Sequence, residues 1–304
     1  MDRIVRMMFL ACTALVVLGC GRMIDADTPE GYVRHCIRLM DKQALYADGD
    51  SWKSMKKQTL EHAKNITTIP EARSLVEEAL KVSGGKHSRL VEPHPVLDDD
   101  LFEELMPEVS LREDGIIVLK LPAHSNSNDS LYTFTVFDFL QAHQDARGVV
   151  IDLRDNTGGN MYPMIAAVSP LIPDGFFISF KGRKFNQPVS LDYVEQMAGI
   201  TAKKKFKLPD TLSIALLTNE LTGSSGEATL LAFRGLKNTR TFGSPTAGFA
   251  SANTPILLND DYMMVLTIGQ DVARTGEVFC DDPIAPDVMT DSPLEEGISW
   301  ILGN

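Results

Sequence analysis

The sequence predicts an α/β protein preceded by a small helical bundle, and three observations carry that reading. Apolar residues recur at helical spacing between residues 27 and about 84. From about residue 109, short apolar strands alternate with helical stretches. Two of the strands, Gly148 to Leu153 and Leu212 to Leu217, are continuous apolar runs of the kind buried on both faces of a sheet. The chain has 304 residues, 44% hydrophobic and 23% charged. Those proportions exclude collagen-like, disordered and coiled-coil classes. With 41 Asp+Glu against 29 Lys+Arg, the net charge is -12, and no Lys/Arg stripe compensates. Nucleic acid is therefore excluded as an expected partner.

Residues 1–19 read as a signal segment. Arg3 and Arg6 precede an apolar stretch, Met7 to Leu18, that is too short to span a bilayer. The run ends in Val17-Leu18-Gly19-Cys20, which resembles the bacterial lipobox. That resemblance implies acylation of Cys20 and a location in the bacterial cell envelope, outside the cytoplasm and tethered to a membrane by lipid. A plain secretory signal is the alternative. Cys12 leaves with the signal, so Cys36 and Cys280 remain, either as a disulfide or as two buried thiols.

Residues 20–91 form the expected bundle. Thr28-Pro29-Glu30 is a helix start, followed by Tyr32, Cys36, Leu39 and Met40 on one face. Asp48-Gly49-Asp50-Ser51 interrupts, and a second helix carries Trp52, Met55, Leu60 and Ala63. Pro70-Glu71 opens a third, with Ala72, Leu75, Val76 and Leu80 inward and Gly84-Gly85 as its stop. Residues 92–108, rich in proline and acid, read as a linker.

Residues 109–304 form the expected α/β core. Ile116 to Leu119 is a strand, and Leu131 to His143 a helix. The two buried strands lead through glycine-containing loops into helices after Asn160 and after Gly223. Thr254 to Ile268 reads as a hairpin turning at Asn259-Asp260-Asp261, and residues 172–210 as a less regular insertion.

Both strand–loop–helix junctions are candidate chemistry. In Asp152-Leu153-Arg154-Asp155-Asn156-Thr157-Gly158-Gly159, the double glycine allows a tight turn that aims N–H groups at developing negative charge, or it serves the turn alone. In Thr222-Gly223-Ser224-Ser225-Gly226-Glu227, Ser224 stands at the positive end of a helix dipole, as a nucleophile or as a plain N-cap paired with Glu227. The dinucleotide G-x-G-x-x-G, the phosphate loop and the G-x-S-x-G elbow are all missing. No metal-ligand spacing occurs, Asp98-Asp99-Asp100 reads as solvated linker, and no cofactor is expected.

These segments resemble the C-terminal processing (tail-specific) serine peptidases. The first junction is similar to their D-L-R-x-N-x-G-G segment, Ser224-Ser225-Gly226-Glu227 to their S-x-x-E, and Gly243-Ser244-Pro245-Thr246-Ala247-Gly248 to their G-x-x-T-x-G. Pro283-Ile284-Ala285-Pro286-Asp287 resembles their G-V-x-P-D, with Pro283 and Ile284 in place of Gly-Val. The likeness spans residues 148 to 288 strongly and reaches back more weakly to residue 80. It implies a ClpP/crotonase-like core, a polypeptide substrate, and no cofactor. No segment has the size or the opening of a PDZ domain.

The same resemblance distributes roles. Ser224, three residues before Glu227, takes the nucleophile position. The Ser-Lys branch places its base 25 residues later, where this chain has Phe249; Lys237 is the nearest basic residue but matches nothing in the motif. The tricorn-type and nisin-resistance-type branch uses a histidine ahead of the core, and Gly85-Lys86-His87-Ser88-Arg89-Leu90 is similar to its H-S/T-x-L segment. His87 is the expected base, with His124 as the fallback. Some members recruit a carboxylate nearly 60 residues after the serine, where Asp281 and Asp282 stand; a turn role for both stays open. The resemblance puts the oxyanion donors at Gly159 (or Gly158) and the N–H of Ser225. The expectation is a lipid-anchored serine endopeptidase. Its rival, motivated by Phe249, is a peptidase-fold binding lipoprotein without activity.

Overall fold

The computed structural model describes residues 27–92, 105–124, 128–200 and 206–303. The signal segment, Cys20 and most of the linker lie outside the described residues. Two compact units divide the chain. The first holds the described residues before Val96 together with Ala252–Gly269, the second Leu97–Ser251 with Gln270 onward.

In the first unit three helices pack together: α1 (Pro29–Gln43), α2 (Asp50–His62) and α3 (Ile69–Gly84). Each start follows local chemistry. Thr28 Oγ1 accepts Gly31 N–H, and Thr68 with Glu71 forms a reciprocal capping box. Gly85 ends α3 at φ 73°, a left-handed position open to glycine. Their inward faces bury Tyr32, Cys36, Met40, Trp52, Val76 and Leu80, each such side chain worth about 1.5–3 kcal/mol. The hairpin differs from its expected place. Its strands β9 (Ser251–Leu257) and β10 (Met263–Ala273) turn where the sequence puts the turn, but Leu258, Met264 and Leu266 pack into the helical cluster rather than the α/β core. The short β1 (Arg89–Val91) pairs with β10 in antiparallel register, Leu90 opposite Met264. The reason is that the inward-facing positions of β10 supply an apolar lid that the three-helix face lacks.

The second unit is built on a six-stranded sheet. Its strands are β2 (Glu108–Leu111), β3 (Ile116–Lys120), β4 (Gly148–Asp152), β7 (Ser213–Thr218), β8 (Thr239–Gly243) and β12 (Val288–Met289), in the order β12-β8-β7-β4-β3-β2. All neighbours are parallel except the edge pair β2–β3. Alternation sorts the side chains: Ile117, Leu119, Val149, Ile151, Ile214 and Leu216 enter the main core. Ile116, Val150, Ala215 and Leu217 enter a smaller core with Ile301. The helix covering that second face, α8 (Pro293–Gly303), escaped the sequence reading. Gly297 lets it approach closely, since a Cβ there would lie 3.1 Å from Ala215 Cβ.

The expected helices are present as α4 (Asp129–Ala142), α5 (Met161–Ala167) and α7 (Ser225–Leu231). The stretch read as irregular contains an antiparallel pair, β5 (Phe176–Gly182) with β6 (Asn186–Ser190), and α6 (Leu191–Met197). The two-residue β11 (Val278–Phe279) pairs with the end of β10. Cys36 and Cys280 are both buried thiols, not disulfide halves.

Candidate active site

Ser224 occupies the last position before α7 with φ 53° and ψ -116°, a backbone region that L-residues rarely adopt. Glu227 holds it there. The Glu227 side chain is fully buried and accepts four hydrogen bonds. Oε2 takes the N–H of Ser224 at 2.9 Å and of Phe249 at 2.7 Å. Oε1 takes Thr246 Oγ1–H at 2.5 Å and Gly248 N–H at 2.9 Å. Burial pushes the Glu227 carboxyl above its ordinary range, while those four donors oppose the shift.

The remaining motifs lock onto this strut. Ile284 N–H donates to Thr246 Oγ1 at 2.8 Å, and Asp287 Oδ2 accepts both Thr241 N–H and Thr241 Oγ1–H. The proline-rich segment thus fastens β8 and the Thr246 loop beneath Ser224. Asn156, completely buried, joins the two junctions: its Nδ2 donates to Leu121 O, and its carbonyl accepts Gly223 N–H at 2.9 Å. Its requirement was visible only as the N of the D-L-R-x-N-x-G-G pattern.

Gly158 and Gly159 turn at φ 109° and 110° directly beside Ser224. A Cβ on Gly158 would stand 2.7 Å from Ser224 Cβ, and one on Gly159 would collide with the His124 carbonyl. Gly158 N–H donates to Asn156 Oδ1 at 3.0 Å, so one of the two glycine N–H groups expected as oxyanion donors is already engaged. Among the described residues, no hydrogen bond occupies the N–H of Gly159 or of Ser225, the first residue of α7. The Ser225 hydroxyl is committed elsewhere, donating to Gly159 O at 2.6 Å.

Phe249 stands where the Ser-Lys branch has lysine, and its ring lies against the Gly223 turn: a Cβ there would be 3.5 Å from Phe249 Cδ2. Lys237 is exposed beyond the end of α7. His124 is 2% exposed, with Nε2 2.7 Å from Asp129 Oδ1. Its backbone brackets the glycine turn, His124 N–H donating to Gly158 O and His124 O accepting Asn160 N–H. The geometry makes His124 a holder of that turn. Beneath the strut, Asp271 of β10 is 2% exposed; burial first, then the charge of Glu227, raise its carboxyl well above the ordinary range.

His87 lies in the first unit, on the loop between α3 and β1, and is 6% exposed. Burial, then Arg89 and Lys86, lower its pKa to about 4. Its Nδ1 is 2.8 Å from Nδ2 of Asn253, an amide on β9. Asp281 and Asp282 form the bend after β11 of the second unit, Asp282 exposed. Among the described residues, no group of three or more His, Cys, Asp or Glu is arranged to hold a metal ion, and no helix is long and apolar enough to cross a membrane.

Comparison with known proteins follows these same segments. The profile of Peptidase family S41 matches residues 115–290. A nisin-resistance protein from Lactococcus lactis subsp. lactis is 31% identical over 281 residues, covering 90% of this chain and 87% of that one. A solved lipoprotein from Streptococcus agalactiae superposes with a TM-score of 0.81 at 28% identity, over 91% of this chain and 96% of the other. The photosystem II D1 C-terminal processing protease shares the fold, with a TM-score of 0.62 at 14% identity over 91% of this chain and 97% of its own.

Proposed function

Because the chain belongs to peptidase family S41, we propose that it is a serine endopeptidase in which Ser224 attacks the peptide carbonyl and His87 takes its proton. The observation that carries this reading is the strained backbone of Ser224, held at φ 53° by Glu227 beside the Gly158–Gly159 turn. The Glu227 bond is also half of a capping box with Ser224, so what goes beyond a plain cap is the positive φ and not the bond. Ser225 is the poorer candidate, since its hydroxyl is spent on Gly159 O.

In the proposed reaction, Ser224 Oγ bonds to the carbonyl carbon as its proton passes to His87. The tetrahedral oxyanion is met by the N–H groups of Gly159 and Ser225. His87 then returns the proton to the leaving amine, and the C–N bond breaks. Water, deprotonated by the same imidazole, releases the acyl group and restores Ser224. At neutral pH the low pKa keeps the ring neutral and ready to accept.

The proposed site of action is the outside of a bacterial membrane, through lipid on Cys20, supported by Val17-Leu18-Gly19-Cys20 and by likeness to a streptococcal lipoprotein. A 31% identical relative is named for nisin resistance, which makes nisin the first polypeptide to assay as a substrate. Purified protein, Ser224→Ala and His87→Ala are incubated with nisin and with a peptide library, and products read by mass spectrometry. Cleavage by the wild type alone supports the reading. Binding without cleavage by the wild type supports the inactive, Phe249-bearing alternative, and cleavage by Ser224→Ala removes the nucleophile assignment.

A further inference from the structure

We infer that Asn253 is the positioning residue of His87, its side-chain amide gripping Nδ1 and its Oδ1 accepting the Nδ1 proton while Nε2 serves as the base. The inference rests on the proposed role of His87, and it names an amide for the task that the sequence reading gave to Asp281 or Asp282.

Asn253 sits on β9, and its amide is the middle of a hydrogen-bonded chain. Its Nδ2 lies 2.8 Å from His87 Nδ1, and its Oδ1 accepts Thr267 Oγ1–H at 2.8 Å. Thr267 Oγ1 accepts the Ser88 hydroxyl at 3.1 Å, and Ser88 Oγ in turn accepts Thr267 N–H at 2.9 Å. Ser88 is the residue after His87, so the chain closes on the loop that carries the imidazole. Ser88 and Thr267 are 4% and 0% exposed, and His87 6%, so the groups lie away from bulk water. A buried chain of this kind holds one ring orientation.

The amide can stand either way round, although only the first arrangement gives the Thr267 hydroxyl proton an acceptor on Asn253. With Nδ2 towards the ring, Nδ1 is an acceptor and the neutral imidazole carries its proton on Nε2. A half turn of the amide brings Oδ1 to Nδ1, and Nδ2 then donates to Thr267 Oγ1, a hydroxyl with lone pairs to receive it. That second arrangement puts the proton on Nδ1 and makes Nε2 the accepting nitrogen of the neutral ring. The amide thus selects the tautomer, as a carboxylate behind a catalytic histidine does, but without a full negative charge. Its neutrality fits the electrostatics. Burial, with Arg89 and Lys86 the charges acting on the ring, keeps the imidazole near 4, and a carboxylate at this position would raise it.

The test uses the full chain as wild type, Asn253→Asp, Asn253→Ala and His87→Ala. It measures kcat and KM across pH and the titration of the His87 ring by nitrogen NMR. Asn253→Asp, nearly isosteric, should raise the ring pKa by about one unit or more and move the acid limb of kcat with it. Asn253→Ala should lower kcat by about 10²-fold with KM little changed. An Asn253→Asp protein that is folded but shows an unmoved ring titration and acid limb overturns the inference, with the His87 reading intact. Full activity in His87→Ala removes the base assignment itself, and with it any catalytic role for Asn253.

Discussion

The carboxylate of Glu227 accepts the backbone N–H of Ser224 at 2.9 Å, and that bond holds Ser224 at φ 53°. The two residues are one device. Oε1 is occupied by Thr246 and Gly248 and Oε2 by Ser224 and Phe249, so each oxygen satisfies two donors from different segments. Glu227→Gln presents an NH₂ where one of those oxygens stood. In one orientation it strands the N–H groups of Ser224 and Phe249. In the other it strands that of Gly248, and the Thr246 hydroxyl can turn to accept. Each stranded donor should cost about 1–3 kcal/mol, read as a lowered urea midpoint at unchanged slope. Peptidase activity should fall with the loss of the Ser224 geometry.

Substitutions in the glycine turn should separate catalysis from folding. Gly159→Ala drives a Cβ into the His124 carbonyl at φ 110°, so the turn must shift. If its N–H meets the oxyanion, kcat should fall by about 10²–10³-fold while far-ultraviolet dichroism is kept. Ser225→Ala removes only the 2.6 Å bond to Gly159 O and should cost about 3–10-fold in kcat, equivalent to one net hydrogen bond. Steady-state kinetics on the same peptide distinguishes the two.

Much of this site was legible because its parts are local in sequence. Ser224 and Glu227 are separated by one helical turn, and the glycine pair follows a strand whose unbroken apolar run marked it as central. The D-L-R-x-N-x-G-G and G-x-x-T-x-G patterns pointed to residues whose work is now visible, Asn156 joining two loops and Thr246 bridging Ile284 to Glu227. What escaped was long-range. Asn253 reads as an ordinary polar strand residue, and only the folding of β9 against the His87 loop brings its amide to the ring. The hairpin was found but misplaced, because alternation on β10 says which face is apolar and not which core receives it. Likewise α8 and the β5–β6 pair lie in stretches whose apolar residues give short, mixed periods.

Asp271 should resist ionisation in the folded protein. Its pKa is raised in the folded state by burial and by Glu227, so the folded protein keeps a proton that the unfolded chain releases. Stability is therefore lost as pH rises from the unfolded value, near 4, towards the raised folded one. Asp271→Asn should be more stable than the wild type at pH 7, with the gain vanishing below about pH 4. Denaturation series at both pH values check it; an equal or lower stability at pH 7 contradicts the raised pKa.

His87 acts on the acid side with the opposite sign. Its folded pKa, about 4, lies below the ordinary imidazole value of 6.5, so the unfolded chain binds the proton first as pH falls. Stability should decline between about pH 6.5 and pH 4, and His87→Gln should flatten that decline. The acid limb of kcat/KM should fall near pH 4 and not near 6.5. A limb at 6.5 would mean that a solvated group, not this ring, takes the serine proton.

The most direct measurement is covalent labelling with a fluorophosphonate, followed by peptide mapping. The wild-type protein should carry the adduct on Ser224 alone, with none in Ser224→Ala and strongly slowed labelling in His87→Ala. A wild-type protein that remains unlabelled while folded, or a Ser224→Ala protein that still labels at this loop, would contradict the assignment of the nucleophile.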